Sequence, residues 1–161
     1  LPRATTEQAC RAEDIAVWHD PHNEDPAFAR VRVRRRVLPV LEAELGPGVP
    51  EALSRTGRLL RDDADALAAL AAVAHEDCRT AGDLLSTDRL GEMLPAVRRR
   101  VLRRAALEAG CPATDLTAGH VAAVDDLVTR WRGQQRVDLP GAVRAVRDRG
   151  TLRLDRSAVA G

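Results

Sequence analysis

Five arginines lie within seven residues near the start of the chain: Arg30, Arg32, Arg34, Arg35 and Arg36. Valines are interleaved with them, so this arginine segment, 30–36, carries apolar anchors as well as charge. Guanidinium groups match phosphate oxygens in a bidentate way, which makes the segment the best candidate for contact with an RNA or DNA backbone. The alternative is a solvated helix face, which is the more common role of such a run.

A cluster of turn-forming residues precedes the arginine segment: Asp20, Pro21, His22, Asn23, Asp25 and Pro26. Prolines and short hydrogen-bonding side chains oppose regular structure and favour an ordered loop. Asp20, Asn23 and Asp25 are expected to bond to their own backbone in Asx turns. Such a loop would also order the arginines that follow it.

A second basic cluster lies on a predicted helix, 95–109, and contains Arg98, Arg99, Arg100, Arg103 and Arg104. The candidate RNA-binding residues are drawn from both clusters: Arg30, Arg34, Arg35, Arg36, Arg98 and Arg99. An arginine that binds phosphate contributes roughly one unit to the salt dependence of binding, whereas an exposed arginine without a ligand contributes almost none.

Metal binding and nucleophilic catalysis have little support in the sequence. His75 precedes Cys78 by three residues, which suits half of a zinc site, with Cys111 or His120 to complete it. No second close pair exists, so His75 is expected to face solvent and Cys78 to be a small buried residue. No metal ligand is assigned. No catalytic residue is assigned either, because no nucleophile elbow and no glycine-rich phosphate loop occurs.

Composition narrows the class of protein. All 25 basic residues are arginine and the net charge is only +1, so any nucleic-acid contact depends on local clusters. One Phe, two Trp and no Tyr do not supply the stacking platform that single-strand binders use. Three cysteines without a close pair indicate reduced thiols in a cytoplasmic protein. No apolar run approaches the roughly 20 residues that span a bilayer, so neither a transmembrane helix nor a signal peptide is expected.

The loop and the arginine segment together resemble a known motif. The stretch D-P-H-N-E-D-P-A-F-A-R-V-R-V-R-R-R-V-L-P is similar to the one that closes the catalytic domain of tRNA(Ile)-lysidine synthases. The matching positions are Asp20, Pro21, Asn23, Asp25, Phe28, Arg30, Val33, Arg34 and Pro39. His22 and Val31 depart from the motif, because the family usually has Ser or Thr at the first position and a small polar residue at the second. Later segments resemble the high-GC bacterial versions, so the resemblance covers most of the chain.

The resemblance implies an ATP-dependent ligase that joins lysine to the wobble cytidine of the isoleucine tRNA with a CAU anticodon. The family's pyrophosphate loop, S-G-G-x-D-S, does not occur in the 161 residues, so ATP, Mg²⁺ and lysine are expected to bind elsewhere in the enzyme. This chain is expected to grip the tRNA, with Asp20, Asn23 and Asp25 near the mouth of the active site. Such a fragment is expected to be inactive alone, to be cytoplasmic and to make no membrane contact. Association as a homodimer is an open alternative.

Hydrophobic periodicity predicts an α+β fold that is mainly α: a helical domain with a small C-terminal antiparallel β meander. Helices are expected at 28–46 with a bend at Pro39, at 50–78, at 95–109 and after a Thr117 cap. The last helix is expected to bury one apolar face, formed by Val121, Val124, Val128 and Trp131. The longest helix has an apolar stripe suited to close packing, formed by Leu53, Leu60, Leu67, Leu70 and Ala74. Strands are expected at 136–139, 142–147 and 151–154.

Three domains are expected from the resemblance. Residues 1–27 would end the nucleotide-binding domain, 28–48 would form an arginine-rich connecting helix, and 49–161 would form a tRNA-binding domain. If the chain is an enzyme fragment of this kind, we expect weak RNA binding and an exposed apolar surface near Leu1–Ile15.

Two other functions remain open on the sequence. A helical regulator or nucleic-acid-binding module without an enzyme domain would form a two-fold dimer and bind a duplex. A structural helical interaction domain would show no salt-dependent affinity for RNA. The loop and arginine pattern favours the enzyme over both.

Overall fold

The computed structural model describes residues 3–18, 20–133 and 136–156. The chain packs as two compact units, Leu1–Arg58 and Leu59–Gly161. Most described residues are helical, and the second unit also contains a four-stranded antiparallel sheet. The predicted α+β, mainly α class is therefore confirmed, whereas the three expected domains stay a prediction.

The first unit consists of helices joined by turns. It contains helix α1 (Arg3–Ala12), a 3-10 turn (Pro21–Asn23), helix α2 (Ala29–Arg32), a π-helical turn (Val33–Val37) and helix α3 (Leu38–Leu45). The last three elements follow one another without a break. They confirm the helix that periodicity predicted over 28–46.

Pro39 accounts for the π-helical turn. Proline has no N–H, and in a regular helix its ring clashes with the carbonyl four residues earlier. The helix is wider before Pro39, where the Leu38 N–H bonds to the Val33 carbonyl five residues back. The expected irregularity thus lies in the turn before the proline, within the arginine segment. The run ends at Gly46, whose φ of 90° favours glycine.

Helix α4 (Val49–Cys78) confirms the long helix predicted over 50–78. Its buried residues, Ala71, His75 and Cys78, all lie near its end. Leu60 and Leu70 of the predicted packing stripe are instead more than half exposed, so most of the stripe lies outside the core. Neither α4 nor any other described helix is long and apolar enough to cross a membrane.

The second unit continues with three more helices, α5 (Thr87–Glu92), α6 (Pro95–Glu108) and α7 (Ala118–Thr129). Pro95 occupies the first turn of α6, where a missing N–H costs no helical hydrogen bond. Gly110, with a φ of 101°, follows the end of α6 as predicted. Thr117 caps α7, since its hydroxyl accepts the His120 N–H while His120 Nδ1 accepts the Thr117 N–H.

The sheet contains strands β1 (Leu85–Ser86), β2 (Arg136–Leu139), β3 (Val143–Asp148) and β4 (Thr151–Arg156), in the order β1-β4-β3-β2. Strands β2 to β4 confirm the predicted meander. Strand β1 pairs with β4 through Leu85 and Leu152, and it was not predicted. Two residues are too few to show the alternation that identifies a strand.

The core of the second unit joins α6 and α7 to the sheet and includes Val101, Leu102, Val124, Leu127, Val143, Ala145 and Leu152. Burying each Leu or Val side chain contributes about 1.5–3 kcal/mol. Val121 and Val124 are buried as expected. Trp131 was expected in this core but is 45% exposed. Helix α7 ends at Thr129, so helical spacing does not extend to the tryptophan.

Candidate nucleic-acid interface

Two aspartates order the loop that precedes the arginine segment. Asp20 Oδ1 accepts the His22 N–H at 2.9 Å and lies 2.9 Å from His22 Nδ1. Asp25 Oδ1 accepts the Ala27 N–H at 2.8 Å. The pKa of Asp20 is lowered from its ordinary value, because the backbone N–H and then the imidazole of His22 stabilise the carboxylate. The Asx turns expected of Asp20 and Asp25 are therefore present.

Arg34 and Arg35 attach this loop to the helical run. Arg34 Nη2 donates to the Asn23 carbonyl at 2.5 Å, and Arg35 Nη2 donates to Glu24 Oε1 at 2.6 Å. A guanidinium has five N–H donors, so each arginine keeps donors for a ligand while its position is fixed. Asn23 thus acts through its backbone, which residue type alone does not predict.

Arg30 and Arg32 are also held by neighbouring residues. Arg30 lies over the Phe28 ring, with 4.4 Å between the guanidinium carbon and the ring centroid. Arg32 Nη1 donates to the carbonyls of Pro26 and Ala27 at 2.8 and 2.7 Å. These contacts preorganise the two side chains without neutralising their charge.

The outer surface of the arginine segment is positively charged. Arg30, Arg34, Arg35 and Arg36 are all exposed. Arg36 has no hydrogen bond or ion pair within the part of the chain that the structure describes. Glu24 is the one described carboxylate in an ion pair with the segment. The guanidiniums are therefore available to an anion such as a phosphate.

Arg98, in contrast, is buried, and its burial does not favour the RNA contact that was expected of it. Its Nε donates to Asp125 Oδ1 at 2.5 Å and its Nη1 donates to the Met93 carbonyl at 2.8 Å. Asp125 Oδ2 accepts a hydrogen bond from Arg99 Nε at 3.0 Å. Arg98 lies on the same side of α6 as the buried Val101. Its charge is compensated inside the second unit by the carboxylate of Asp125. Arg99 stays more than half exposed.

Three members of the second cluster line a small cavity at the start of α7. Arg99, Arg100 and Arg103 face Thr117 and Ala118 across a cavity of about 280 Å³. Arg100 Nη1 is partly engaged, since it donates to the Ala96 carbonyl at 3.0 Å. The cavity concentrates positive charge, and it belongs to the second unit, whereas the arginine segment belongs to the first.

His75 does not face solvent, contrary to its prediction. It is 2% exposed, and its Nε2 and Nδ1 lie 3.6 Å from Glu108 Oε2 and 3.5 Å from Glu76 Oε1. It shares the buried side of α4 with Cys78, which is buried as expected and whose pKa is raised by desolvation. Within residues 3–18, 20–133 and 136–156, no three of His, Cys, Asp and Glu come together as metal ligands.

A third group of arginines, which the sequence did not predict as a site, lies around the turn between β3 and β4. Arg147, Arg149 and Arg153 line a groove together with Trp131. The arginines lie at short spacing in the sequence, but helical spacing predicted Trp131 in the core, so the sequence did not predict that they share a groove.

Known proteins are similar to this chain along most of its length. Residues 85–153 match the family model described as the TilS substrate binding domain. The chain is 53% identical to the tRNA(Ile)-lysidine synthase of Thermobifida fusca over 94% of the chain and 47% of that protein. It is 52% identical to the synthase of Streptomyces coelicolor over 94% of the chain and 43% of that protein. It is 45% identical to the synthase of Mycobacterium tuberculosis over 90% of the chain and 45% of that protein.

These matches confirm the resemblance that the loop and the arginine segment suggested. The chain spans slightly less than half the length of the curated relatives that it matches. The similarity includes both units, because it extends over nine-tenths or more of the chain. Over nine-tenths or more of its length, the chain is therefore similar to one part of tRNA(Ile)-lysidine synthases.

Proposed function

We propose that this chain is the tRNA-gripping part of a tRNA(Ile)-lysidine synthase, the ATP-dependent ligase that joins lysine to the wobble cytidine of the CAU-anticodon isoleucine tRNA. The observation that carries the proposal is the exposed arginine segment, held in place by the loop before it. A guanidinium that is already positioned loses little conformational freedom when it binds, so phosphate contact is less costly.

The proposed tRNA contacts are Arg30, Arg34, Arg35 and Arg36 in the first unit and Arg99 in the second. Arg98 is left out, because it is buried and its charge is already paired with Asp125. Asp20, Asn23 and Asp25 are proposed to hold the loop at the mouth of the active site. No residue of this chain is proposed to be catalytic.

Several parts of the proposal concern the whole enzyme. ATP, Mg²⁺ and lysine belong to it through the family, and none is assigned to a described residue. The reaction is proposed to take place in the cytoplasm. The exposed Ile15 and Trp18 support contact with another part of the enzyme, and the exposed Leu60 and Leu70 support self-association as a homodimer.

Binding of the chain to CAU-anticodon isoleucine tRNA at several salt concentrations tests the proposal. The double variant Arg30→Ala/Arg36→Ala should lower the slope of log K against log salt by about two, one unit per phosphate contact. The matched control is Arg55→Ala/Arg58→Ala, which removes the same charge from the exposed part of α4. It should leave the slope close to that of the parent chain.

The outcomes separate the three functions. Equal losses in the test and control variants would contradict a specific contact by the arginine segment. Tighter binding to a duplex than to the tRNA would favour a stand-alone nucleic-acid-binding module. No salt-dependent affinity at all would favour a structural interaction domain. Incubated with ATP, Mg²⁺, labelled lysine and the tRNA, the 161-residue chain alone should form no lysidine.

A further inference from the structure

We infer that the groove beside the β3–β4 turn binds an unpaired nucleotide of RNA, with its base stacked on Trp131. This inference rests on the proposed function and adds a stacking contact to the phosphate contacts of the arginine segment. The groove has a volume of about 720 Å³, which is typical of a small-molecule site. Its lining includes Leu84, Arg149 and Arg153, and all of its lining residues belong to the second unit.

Trp131 and Arg147 form a platform in this groove, which the low aromatic content of the chain did not predict. The Arg147 guanidinium carbon lies 4.6 Å from the centroid of the Trp131 ring. Arg147 is fixed, because its Nη1 donates to the carbonyls of Leu127 at 2.6 Å and Val128 at 3.1 Å. Its Nε donates to the Arg149 carbonyl at 3.3 Å. The partly exposed indole is therefore held against a rigid partner, as a stacking surface for a base requires.

The charges of the groove suit the phosphate of the same nucleotide. Arg147, Arg149 and Arg153 line it, against one carboxylate, Asp148. Arg153 Nε is partly neutralised by Asp155 Oδ2 at 3.3 Å. The Arg149 side chain has no hydrogen bond or ion pair within the described part of the chain. An apolar base contact beside an available guanidinium matches a nucleotide better than a purely apolar or a purely anionic ligand.

The guanidinium and the aromatic face of the groove can each be removed by one substitution. Arg149 has a φ of 49°, a conformation that glycine adopts more readily than any residue with a Cβ. Arg149→Gly therefore removes the guanidinium and should keep the turn. Trp131→Leu removes the aromatic face and keeps an apolar side chain in the groove.

Tryptophan fluorescence can report stacking directly. The chain has two tryptophans and no tyrosine, so Trp18→Phe leaves Trp131 as the single strong fluorophore. In that background, an adenosine hexanucleotide should quench the emission, whereas an abasic ribose-phosphate hexamer of equal charge should not. By anisotropy of a labelled hexanucleotide, Trp131→Leu should weaken binding about ten-fold, the effect of one lost stacking contact. Arg149→Gly should weaken binding and lower the salt slope by about 0.7, the value for one phosphate on a single strand.

Two results would overturn the inference: unchanged Trp131 emission with the hexanucleotide, or equal quenching by the abasic hexamer. The Arg30→Ala/Arg36→Ala substitutions, placed in the same background, keep the two proposals apart. If they leave both tRNA binding and its salt slope unchanged while quenching persists, the proposed function fails and the groove inference stands. If they flatten the salt slope of tRNA binding but Trp131 is never quenched, the groove inference alone fails.

Discussion

Arg98 and Asp125 form a buried ion pair between α6 and α7, with 2.5 Å between Arg98 Nε and Asp125 Oδ1 and more than nine-tenths of both side chains buried. Arg99 contacts the second oxygen of the same carboxylate. One carboxylate therefore joins a structural arginine to an exposed one. Asp125 therefore positions the exposed Arg99, while Arg98 holds the two helices together.

The buried pair should be sensitive to the loss of one partner. Arg98→Met leaves Asp125 with the exposed Arg99 alone, so the free energy of unfolding of the second unit should fall by about 3 kcal/mol, the lower end for a broken buried pair. Urea unfolding followed by Trp131 emission in the Trp18→Phe background measures it. Arg103→Met, on an exposed position of the same helix, is the matched control and should cost less than about 0.5 kcal/mol.

A double variant tests the cause of that loss. Arg98→Met/Asp125→Leu removes both charges and should be less destabilised than Arg98→Met, because no buried carboxylate is left without its partner. The loss of unfolding free energy in the double variant is compared with the sum of the losses in Arg98→Met and Asp125→Leu. If the two were equal, packing rather than charge pairing would be responsible.

The cap of α7 should contribute measurably to stability. Thr117→Ala removes the hydroxyl that accepts the His120 N–H, and the second unit should lose about 1 kcal/mol of unfolding free energy. Thr117→Ser keeps the hydroxyl and should stay close to the parent. Urea midpoints of the three proteins give the comparison. A Ser variant as unstable as the Ala variant would show that the Thr117 methyl group matters instead of the cap.

The sequence was sufficient for the elements whose signals are local. Thr117, Pro95 and Gly110 mark helix ends by their own backbone chemistry, and the structure has the ends where they predict. Strand β1 depends on pairing with β4, which lies more than sixty residues later, so no local signal predicts it. The burial of Arg98 has no local signal either, because a run of arginines does not show which one forms an ion pair with the distant Asp125.

The candidate site could likewise be predicted only where its contacts are local in sequence. The turns at Asp20 and Asp25 follow from residue type, because each side chain bonds to a nearby backbone N–H. The bond from Arg34 to the Asn23 carbonyl depends on how the loop folds back, which residue type does not specify. Trp131 was misplaced because its spacing continued a helical pattern beyond the end of the helix.

Acid should release the turn at Asp20. The pKa of Asp20 is lowered from its ordinary value of 3.8, mainly by the His22 N–H bond, so the carboxylate favours the folded loop above pH 3.8. That contribution is lost as the pH falls through the lowered pKa. The His22 amide shift, followed by NMR, should therefore titrate with a midpoint below 3.8. In Asp20→Asn the amide oxygen still accepts the bond and does not titrate, so that transition should disappear. A midpoint at or above 3.8 in the parent would contradict the assignment.

The cysteines should differ in reactivity because the thiolate is the reactive form. Cys78 and Cys111 are buried, and desolvation raises the pKa of both thiols, whereas Cys10 is partly exposed. Iodoacetamide at pH 8 should therefore modify Cys10 first, as read by peptide mass mapping, and Cys10→Ser should abolish the fast reaction. Fast labelling of Cys78 in the folded chain would contradict this.

Cys78 labelling also links reactivity to the buried ion pair. Its thiol reacts only when the core around the end of α4 opens, so the labelling rate reports the population of the open state. If that opening is the unfolding of the whole second unit, Arg98→Met should raise the rate about a hundred-fold, the factor that corresponds to about 3 kcal/mol. If the rate does not change while the urea midpoint falls, the end of α4 opens by itself, and α6 and α7 stay paired when it does.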